Sequence, residues 1–292
     1  MVGGVTFATG SAFAQDAQGL RHALQNEASP AGAVQYGNNP SAGHYVNAGD
    51  AKIYYEVYGQ GEPIVILHGG TLGSTYEMAP FIDHLSRSYK VIAISTRGHG
   101  KSEIGSAPFT LKQRATDAMA VINAVTQGPV TVLGFSDGAY SGYELASLYP
   151  ERITKLIAIG AGEMRPGPGT FNLTRQAVVS LDKAYWAQQL ALMPEPDRLD
   201  DFLARQNGLY NHLLASKELF SSIRCPVLVM AGERDQNAHL STIFAAYYMI
   251  ANSQLAIIPN ATHTVFLENF PAVWASIEPF LKQPGISVQK PD

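Results

Sequence analysis

The stretch TVLGFSDGAYSG, from Thr131 to Gly142, joins an apolar run to a segment with helical spacing. Its centre, Gly134-Phe135-Ser136-Asp137-Gly138, matches the pattern G-x-S-x-G. A strand that turns sharply into a helix needs small neighbours, and it holds the serine hydroxyl above the sheet at the positive end of the helix. This context predicts that Ser136 is a nucleophile. A purely structural glycine turn is the alternative.

A serine hydroxyl is a weak nucleophile unless a base takes its proton and a third group orients that base. His263 lies in the loop between the last predicted strand and the last predicted helix, and Asp235 comes just after an earlier strand. Because strand ends at one edge of a parallel sheet face the same crevice, we predict a catalytic triad of Ser136, Asp235 and His263. His68, which precedes the serine in the chain, is the competing base.

Apolar strand-like runs alternate with helical patterns along most of the chain, which predicts an α/β fold with a mostly parallel sheet. The alternation stops between Gly162 and Ser222, where helical segments are predicted at Leu173–Leu192 and Pro196–Ser216. We interpret this region as a helical insertion between two core strands. The predicted core is then 43–161 and 223–283, with the insertion at 162–222 and a tail at 284–292.

Composition narrows the possible partners and chemistry. The 292 residues carry a net charge of -4, so no basic surface for nucleic acid is indicated. No apolar run after the N-terminus reaches the roughly 20 residues that a membrane span needs. The single cysteine, Cys225, excludes an internal disulfide and a cysteine-based zinc cluster, and it lies in an apolar run typical of a buried strand. We expect no cofactor and no metal, and either a monomer or a homodimer.

The composition of the N-terminal residues indicates that the protein is exported. Residues Val2 to Ala14 are small and apolar and end in Ala-Phe-Ala, like the end of a secretory signal peptide, although no Lys or Arg precedes them. We interpret the segment as a truncated signal peptide, with a disordered tail as the alternative, and the polar stretch from Asp16 to Gly43 as a flexible linker. Residues 1–42 are thus placed outside the core. The expected location is periplasmic or secreted, and otherwise cytoplasmic.

With these motifs in place, the chain from about Gly43 to Lys282 resembles the α/β-hydrolase superfamily. The resemblance includes the triad order, the His68-Gly69-Gly70 motif after a strand and the R-G-x-G-x-S turn that begins at Arg97. It implies an eight-stranded, mostly parallel sheet flanked by helices, with one antiparallel strand near its start. It also implies that the helical insertion is a cap over the active site. Ser95 departs from the pattern, because many relatives carry an aspartate there.

The resemblance further implies an oxyanion hole built from backbone N–H groups. One donor is expected at Asp137, and the second in the loop after His68-Gly69, at Gly70 or Thr71. Fixed N–H donors of this kind stabilise the charge that develops on a carbonyl oxygen. In the family, the counterpart of His68 is structural. We expect the carboxylate of Asp137 to lie at the helix N-terminus, where the helix dipole favours it.

A serine at the centre of the motif favours acyl chemistry over the epoxide and carbon–halogen chemistry of relatives that carry an aspartate there. The expected substrates are small esters, lactones, thioesters or activated amides, cleaved through an acyl-enzyme. Carbon–carbon bond hydrolysis and cofactor-free perhydrolysis on the same triad remain open alternatives. A ligand receptor built on this fold is the alternative from outside enzymology.

The substrate pocket is less defined by sequence. The local G-[FW]-S-D-G motif resembles a branch that includes amino-acid-ester and prodrug-ester hydrolases. Phe135, Trp186 and Tyr210 are the predicted substrate-binding residues, although aromatic residues at helical spacing are more often core. Arg165 is interpreted as a solvated loop arginine, with a substrate carboxylate as its alternative partner.

Overall fold

A computed structural model of the chain describes residues 19–24, 29–30, 32–165, 167, 169 and 171–283. The predicted signal peptide, Val2–Ala14, and the predicted tail, 284–292, lie outside the described residues. None of the described helices is long and apolar enough to span a membrane.

The centre of the fold is an eight-stranded sheet with the order β1-β2-β4-β3-β5-β6-β7-β8. Strand β2 pairs antiparallel with both β1 and β4, and the pairs from β4 through β3 to β8 are parallel. This confirms the predicted mostly parallel sheet with one antiparallel strand near its start. The strands are β1 Gly43–Ala48, β2 Ala51–Tyr58, β3 Pro63–Leu67, β4 Lys90–Ile94, β5 Val130–Phe135, β6 Ile153–Ile159, β7 Val227–Gly232 and β8 Ser253–Ile258.

Helices cover both faces of the sheet, and the side chains of the inner strands alternate between the two resulting cores. In β3, Val65 and Leu67 belong to one cluster of buried apolar residues, whereas Ile64 and Ile66 belong to the other. The flanking helices are α1 Ala79–Leu85, α2 Leu111–Val125, α3 Asp137–Leu148, α8 Leu240–Met249, α9 Val265–Glu268 and α10 Phe270–Lys282, and a 3-10 turn spans Thr75–Met78. Cys225 is buried, and burial raises the pKa of its thiol to about 12.

Residues 162–222, which we call the helical insertion, connect the adjacent strands β6 and β7. The predicted helix over Leu173–Leu192 is divided at Asp182, whose carboxylate accepts a hydrogen bond from the Tyr185 N–H at 3.0 Å and so begins a new helix. A bridge between Met164 and Ala215 closes the base of the insertion. Its helices are α4 Arg175–Leu181, α5 Lys183–Leu192, α6 Leu199–His212 and α7 Lys217–Ser222, with a 3-10 turn at Pro196–Arg198.

The linker predicted between Asp16 and Gly43 is corrected where its residues are described. The Glu56 carboxylate on β2 is fully buried, and it accepts hydrogen bonds from the backbone N–H groups of Gly37 at 2.7 Å and Asn39 at 2.8 Å. The hydroxyls of Tyr54 and Tyr58 donate to the same carboxylate. A buried carboxylate needs such donors, so this part of the segment packs on the core because Glu56 binds its backbone.

Candidate active site

Ser136 lies between β5 and α3 with φ of 51° and ψ of -115°, a left-handed conformation that is strained for a residue other than glycine. Its N–H donates to the Ile159 carbonyl on the neighbouring strand at 2.8 Å. A Cβ on Gly138 would collide with the carbonyl oxygen of Leu67, and one on Gly134 with that of Gly138. The two glycines of the motif are therefore required for the tight approach of this turn to β3 and α3.

The structure brings Ser136, His263 and Asp235 together in one chain of hydrogen bonds. Nε2 of His263 lies 3.0 Å from Oγ of Ser136, and Nδ1 lies 2.8 Å from Oδ2 and 3.0 Å from Oδ1 of Asp235. The Asp235 side chain is fully buried, whereas 19% of the His263 side chain is exposed. The arrangement has the geometry in which an imidazole takes a proton from a serine hydroxyl while a carboxylate orients the ring.

The Asp235 carboxylate is held by its own loop. Its Oδ1 accepts hydrogen bonds from the backbone N–H groups of Asn237 and Ala238, each at 2.8 Å. These donors fix the orientation of the carboxylate toward Nδ1 of His263.

His68, the competing base, is fully engaged elsewhere. Its Nδ1 lies 2.7 Å from the Gly69 carbonyl, and its Nε2 accepts a hydrogen bond from the Thr96 N–H at 3.0 Å. Burial lowers the pKa of His68 to about 4, so the ring is neutral near pH 7. His68 therefore braces the loop after β3 against the loop after β4, and it does not contact Ser136.

The three predicted oxyanion-hole positions differ in their hydrogen bonding. The Thr71 N–H donates to the Tyr210 hydroxyl at 3.4 Å. Within the described part of the chain, the N–H groups of Asp137 and Gly70 have no protein acceptor. Of the two alternatives for the second donor, Gly70 is thus the one whose N–H has no acceptor in the described part of the chain. Both residues line the same cavity as Ser136.

A cavity of about 630 Å³ opens over Ser136 and His263. Its walls are mostly apolar and come from both the core and the helical insertion. Phe135 and Tyr140 contribute from β5 and α3, Leu267 from α9, and Met164, Phe171 and Leu213 from the insertion. A cavity of this size and character suits a small, largely apolar ligand.

Two of the three predicted substrate-binding residues line this cavity. Phe135 lies against the His263 ring with centroids 5.0 Å apart, and Tyr210 reaches in from α6. The prediction for Trp186 is wrong, because its side chain is buried against Tyr185 and does not line the cavity. Tyr185 and Trp186, adjacent on α5, pack between the insertion and the loop after β3. There the Tyr185 hydroxyl donates to the Leu72 carbonyl at 2.9 Å.

Arg165 and Asp137 each form an ion pair, one at the surface and the other in the interior. Arg165 is a surface residue, with 69% of its side chain exposed and Glu163 as its partner at 2.7 Å. Asp137 begins α3, as the sequence predicts, but its carboxylate is buried and lies 3.4 Å from the Arg114 guanidinium. The Asp137 carboxylate is thus neutralised inside the protein and is not a free anion in the cavity.

Glu77 lines the cavity as well, and sequence reasoning missed it. Its buried carboxyl accepts a hydrogen bond from the Gly69 N–H at 2.6 Å, which fixes the loop that carries Gly70. Burial raises the pKa of Glu77 to about 8. The signal in the sequence was the first acidic residue after the His68-Gly69-Gly70 motif.

Comparisons with known proteins agree with this geometry. A family model described as alpha/beta hydrolase fold matches residues 62–220, more than half of the chain. The chain is 25% identical over 256 residues to a 2-hydroxy-6-oxo-6-(2'-aminophenyl)hexa-2,4-dienoic acid hydrolase of Metapseudomonas resinovorans, covering 77% of this chain and 86% of the relative. It is 26% identical over 250 residues to the serine hydrolase BPHL of Mus musculus, covering 79% and 83%.

Solved structures show the same fold. The enol-lactonase from Burkholderia xenovorans superposes with a TM-score of 0.69 at 20% identity. The superposition covers 82% of this chain and 100% of the lactonase chain. A meta-cleavage product hydrolase from Pseudomonas fluorescens superposes with a TM-score of 0.70 at 18% identity, covering 83% and 98%.

Proposed function

Because the chain belongs to the α/β-hydrolase family, and is a hydrolase like its named relatives, we propose that it cleaves a small carboxylic ester, lactone or thioester. One observation carries the proposal. Ser136 is hydrogen-bonded to His263 at 3.0 Å and His263 to Asp235 at 2.8 Å, and both Ser136 and His263 line a mostly apolar cavity.

In the proposed reaction, Oγ of Ser136 attacks the substrate carbonyl carbon while Nε2 of His263 takes the hydroxyl proton. The bond to the leaving oxygen or sulfur then breaks, and the leaving group receives that proton. Water attacks the acyl-enzyme, His263 takes a proton from it, and the bond to Ser136 breaks as the serine regains its proton. Asp235 stabilises the imidazolium formed in both halves. No step requires a cofactor.

We assign the oxyanion hole to the backbone N–H groups of Asp137 and Gly70. Donors that stay unpaired in the free protein are available when a carbonyl oxygen becomes negatively charged. Loss of one such donor typically costs roughly 3 kcal/mol of transition-state stabilisation. The helical insertion is proposed to be a cap, because Met164, Phe171 and Leu213 form the cavity wall opposite the core.

The charge of the cavity supports a neutral substrate. Among the described residues that line it, none is Lys or Arg. Of the two acidic ones, Asp137 is paired with Arg114, and burial raises the pKa of Glu77 to about 8. A substrate carboxylate buried in such a cavity would lack a cationic partner, which is costly. An uncharged ester or lactone with apolar groups fits this lining better.

Carbon–carbon bond hydrolysis is the second candidate. It is favoured by the similarity to the dienoic acid hydrolase of Metapseudomonas resinovorans, which extends over 86% of that relative. Such a substrate carries a carboxylate, so the lining residues argue for the ester over the dienoic acid.

The decisive experiment measures hydrolysis of p-nitrophenyl butanoate and of a 2-hydroxy-6-oxo-hexadienoate by the purified protein. We expect the ester to be cleaved with the larger kcat/KM, and Ser136→Ala to abolish the reaction. Ser147→Ala, on the same helix but outside the cavity, is the matched control and should keep full activity.

A fluorophosphonate probe gives an independent measurement of the nucleophile. It should label the wild type and Ser147→Ala but not Ser136→Ala. Unchanged ester turnover in Ser136→Ala would refute the nucleophile assignment, and a larger kcat/KM for the dienoate would select the second candidate.

A further inference from the structure

Residues 19–24 lie beside the catalytic cavity, although the sequence predicts a linker there. We call this segment the N-terminal strap. His22, Ala23 and Leu24 line the cavity that also contains Ser136 and His263. The strap precedes the first strand of the sheet by about 20 residues, so its place in the cavity wall depends on contacts distant in sequence.

The strap is bound to the helical insertion at the start of α5. The Arg21 guanidinium forms an ion pair with the Asp182 carboxylate, and the two side chains are only 11% and 8% exposed. The Leu24 N–H donates to Oδ2 of the same carboxylate at 2.8 Å. The Gln188 side-chain amide donates to the Gly19 carbonyl at 3.0 Å. Three polar contacts therefore hold the six residues against one helix.

A second set of contacts holds the strap from the other side. Leu20 is buried, its N–H donates to Oε1 of Gln35 at 2.5 Å, and its carbonyl accepts from the Ser29 N–H at 3.1 Å. The Gln35 amide also donates to the Ser29 hydroxyl at 2.9 Å. The strap is thus bonded both to the insertion and to the segment that leads into β1.

The lining that the strap provides is apolar. Ala23 packs against the main hydrophobic core, and Leu24 is 65% exposed at the edge of the cavity. Burial lowers the pKa of His22, so its imidazole is neutral at pH 7. Neutral and apolar side chains at this wall match the apolar residues that the core and the insertion contribute.

We propose that the N-terminal strap is a wall of the substrate pocket that binds the apolar acyl or alcohol group, and that Ala23 and Leu24 set the size of the group accepted. The proposal rests on the proposed ester hydrolysis for its substrate class. A group long enough to reach the strap buries apolar surface against Ala23 and Leu24, whereas a short group does not. The strap therefore acts on selectivity among substrates and takes no part in bond cleavage.

The test compares p-nitrophenyl acetate with p-nitrophenyl octanoate. In Ala23→Trp the indole occupies the part of the cavity next to the strap, so the ratio of kcat/KM for the octanoate to kcat/KM for the acetate should fall at least tenfold. Val34→Trp is the matched control, since Val34 is exposed on the same N-terminal region and does not line the cavity. It should leave both values within twofold. An unchanged octanoate-to-acetate ratio in Ala23→Trp would overturn the proposal.

Arg21→Ala tests the same wall without adding bulk. It removes the ion pair to Asp182 but leaves that carboxylate to begin α5. Release of the wall exposes a bound octanoyl chain to water, so KM for the octanoate should rise at least threefold with kcat for the acetate unchanged. No change in KM, or a fall, would contradict the assignment.

Binding of non-hydrolysable p-nitrophenyl ethyl and octyl ethers separates this inference from the proposed reaction. If the wild type cleaves neither ester, the proposed function fails, but the ether affinities still test the wall. Ala23→Trp should weaken octyl ether binding at least tenfold and leave the ethyl ether within threefold. Equal octyl ether affinity in wild type and Ala23→Trp would refute the strap as a wall, whatever the outcome for the esters.

Discussion

The Tyr210 hydroxyl lies 3.2 Å from Oδ2 of Asp137, so helix α6 of the insertion contacts the residue that follows Ser136. The Gln206 amide, one turn earlier on α6, donates to the Tyr210 hydroxyl at 2.8 Å. The same hydroxyl accepts from the Thr71 N–H. Burial raises the pKa of Tyr210, so it remains a neutral donor. One hydroxyl thus joins the insertion, the serine turn and the loop after β3.

Tyr210→Phe should lower kcat/KM by more than a buried Tyr→Phe change that costs similar stability elsewhere in the protein. It removes the donor to Asp137 and the acceptor of Thr71, on both sides of the proposed oxyanion hole. We expect kcat/KM for p-nitrophenyl butanoate to fall about tenfold and the free energy of unfolding to fall by about 1–2 kcal/mol. Tyr143→Phe is the control, because it loses a buried hydrogen bond to the Ala161 carbonyl away from the cavity. An equal loss of activity in both variants would contradict a specific role for Tyr210.

Asp235→Asn should abolish most of the activity while preserving the fold. The amide cannot accept from both the loop N–H groups and His263 as the carboxylate does, so the imidazole loses its orientation and its charge partner. We expect kcat to fall by about 10³-fold or more, by analogy with triad carboxylates in general. Asp200→Asn, which breaks an exposed ion pair with Arg175, should retain full activity. Wild-type kcat in Asp235→Asn would exclude it from the triad.

Glu77 should make the stability of the protein depend on pH. Burial raises its pKa from the ordinary value of 4.5 to about 8. Between these values the folded chain holds a proton that the unfolded chain has lost, so the contribution of Glu77 to stability falls as pH rises from about 4.5 to about 8. Glu77→Gln keeps an acceptor for the Gly69 N–H but cannot ionise.

The measurement is urea unfolding of wild type and Glu77→Gln at several pH values from 5 to 8. The stability of the variant relative to wild type should increase steadily across this range. Glu218→Gln, at an exposed position on α7, is the reference for loss of a surface carboxyl. A stability difference between Glu77→Gln and wild type that stays constant over this pH range would show that the Glu77 carboxyl titrates at the same pH in the folded and unfolded chains.

Gly138→Ala should destabilise the protein and Gly208→Ala should not. A methyl group at position 138 meets the carbonyl oxygens of Leu67 and His68, and backbone cannot move away without opening the turn. We expect a loss of more than about 2 kcal/mol. Gly208 lies within α6 with open space around its Cβ position, so alanine there should gain up to about 1 kcal/mol. Thermal or urea unfolding of both variants checks the pair, and similar midpoints would contradict the tight contact.

Local patterns in the sequence were sufficient to predict the strand order in the chain, the mostly parallel sheet and the family. Apolar runs such as Pro63–Leu67 and Val130–Phe135 have few alternatives to a buried parallel strand, because a helix or a surface strand would expose several of their side chains. The position of Ser136, Asp235 and His263 after strands also follows from local spacing. Parallel strands then bring their ends to one edge for topological reasons.

Side-chain direction within the helical insertion depended on the tertiary structure. Trp186 and Tyr210 look alike in the sequence, as aromatic residues at helical spacing, but only Tyr210 faces the cavity. Which face of a short helix meets the core depends on the helices packed around it, and α5 has little amphipathic character of its own. The choice between Gly70 and Thr71 likewise needed the position of the Tyr210 hydroxyl.

The sequence alone determined the fold class and the presence of a serine turn. Both are encoded in patterns that span only a few neighbouring residues, namely the apolar periodicity of each element and the G-x-S-x-G motif. Only the tertiary structure decided which of the candidate side chains enclose the cavity and which further ones join them. Glu77, Tyr210 and the strap residue Ala23 come from segments far apart in the chain, and no local pattern relates them. Their contacts arise because the sheet, the insertion and the N-terminal strap pack together, and packing places atoms by shape and by the satisfaction of buried polar groups.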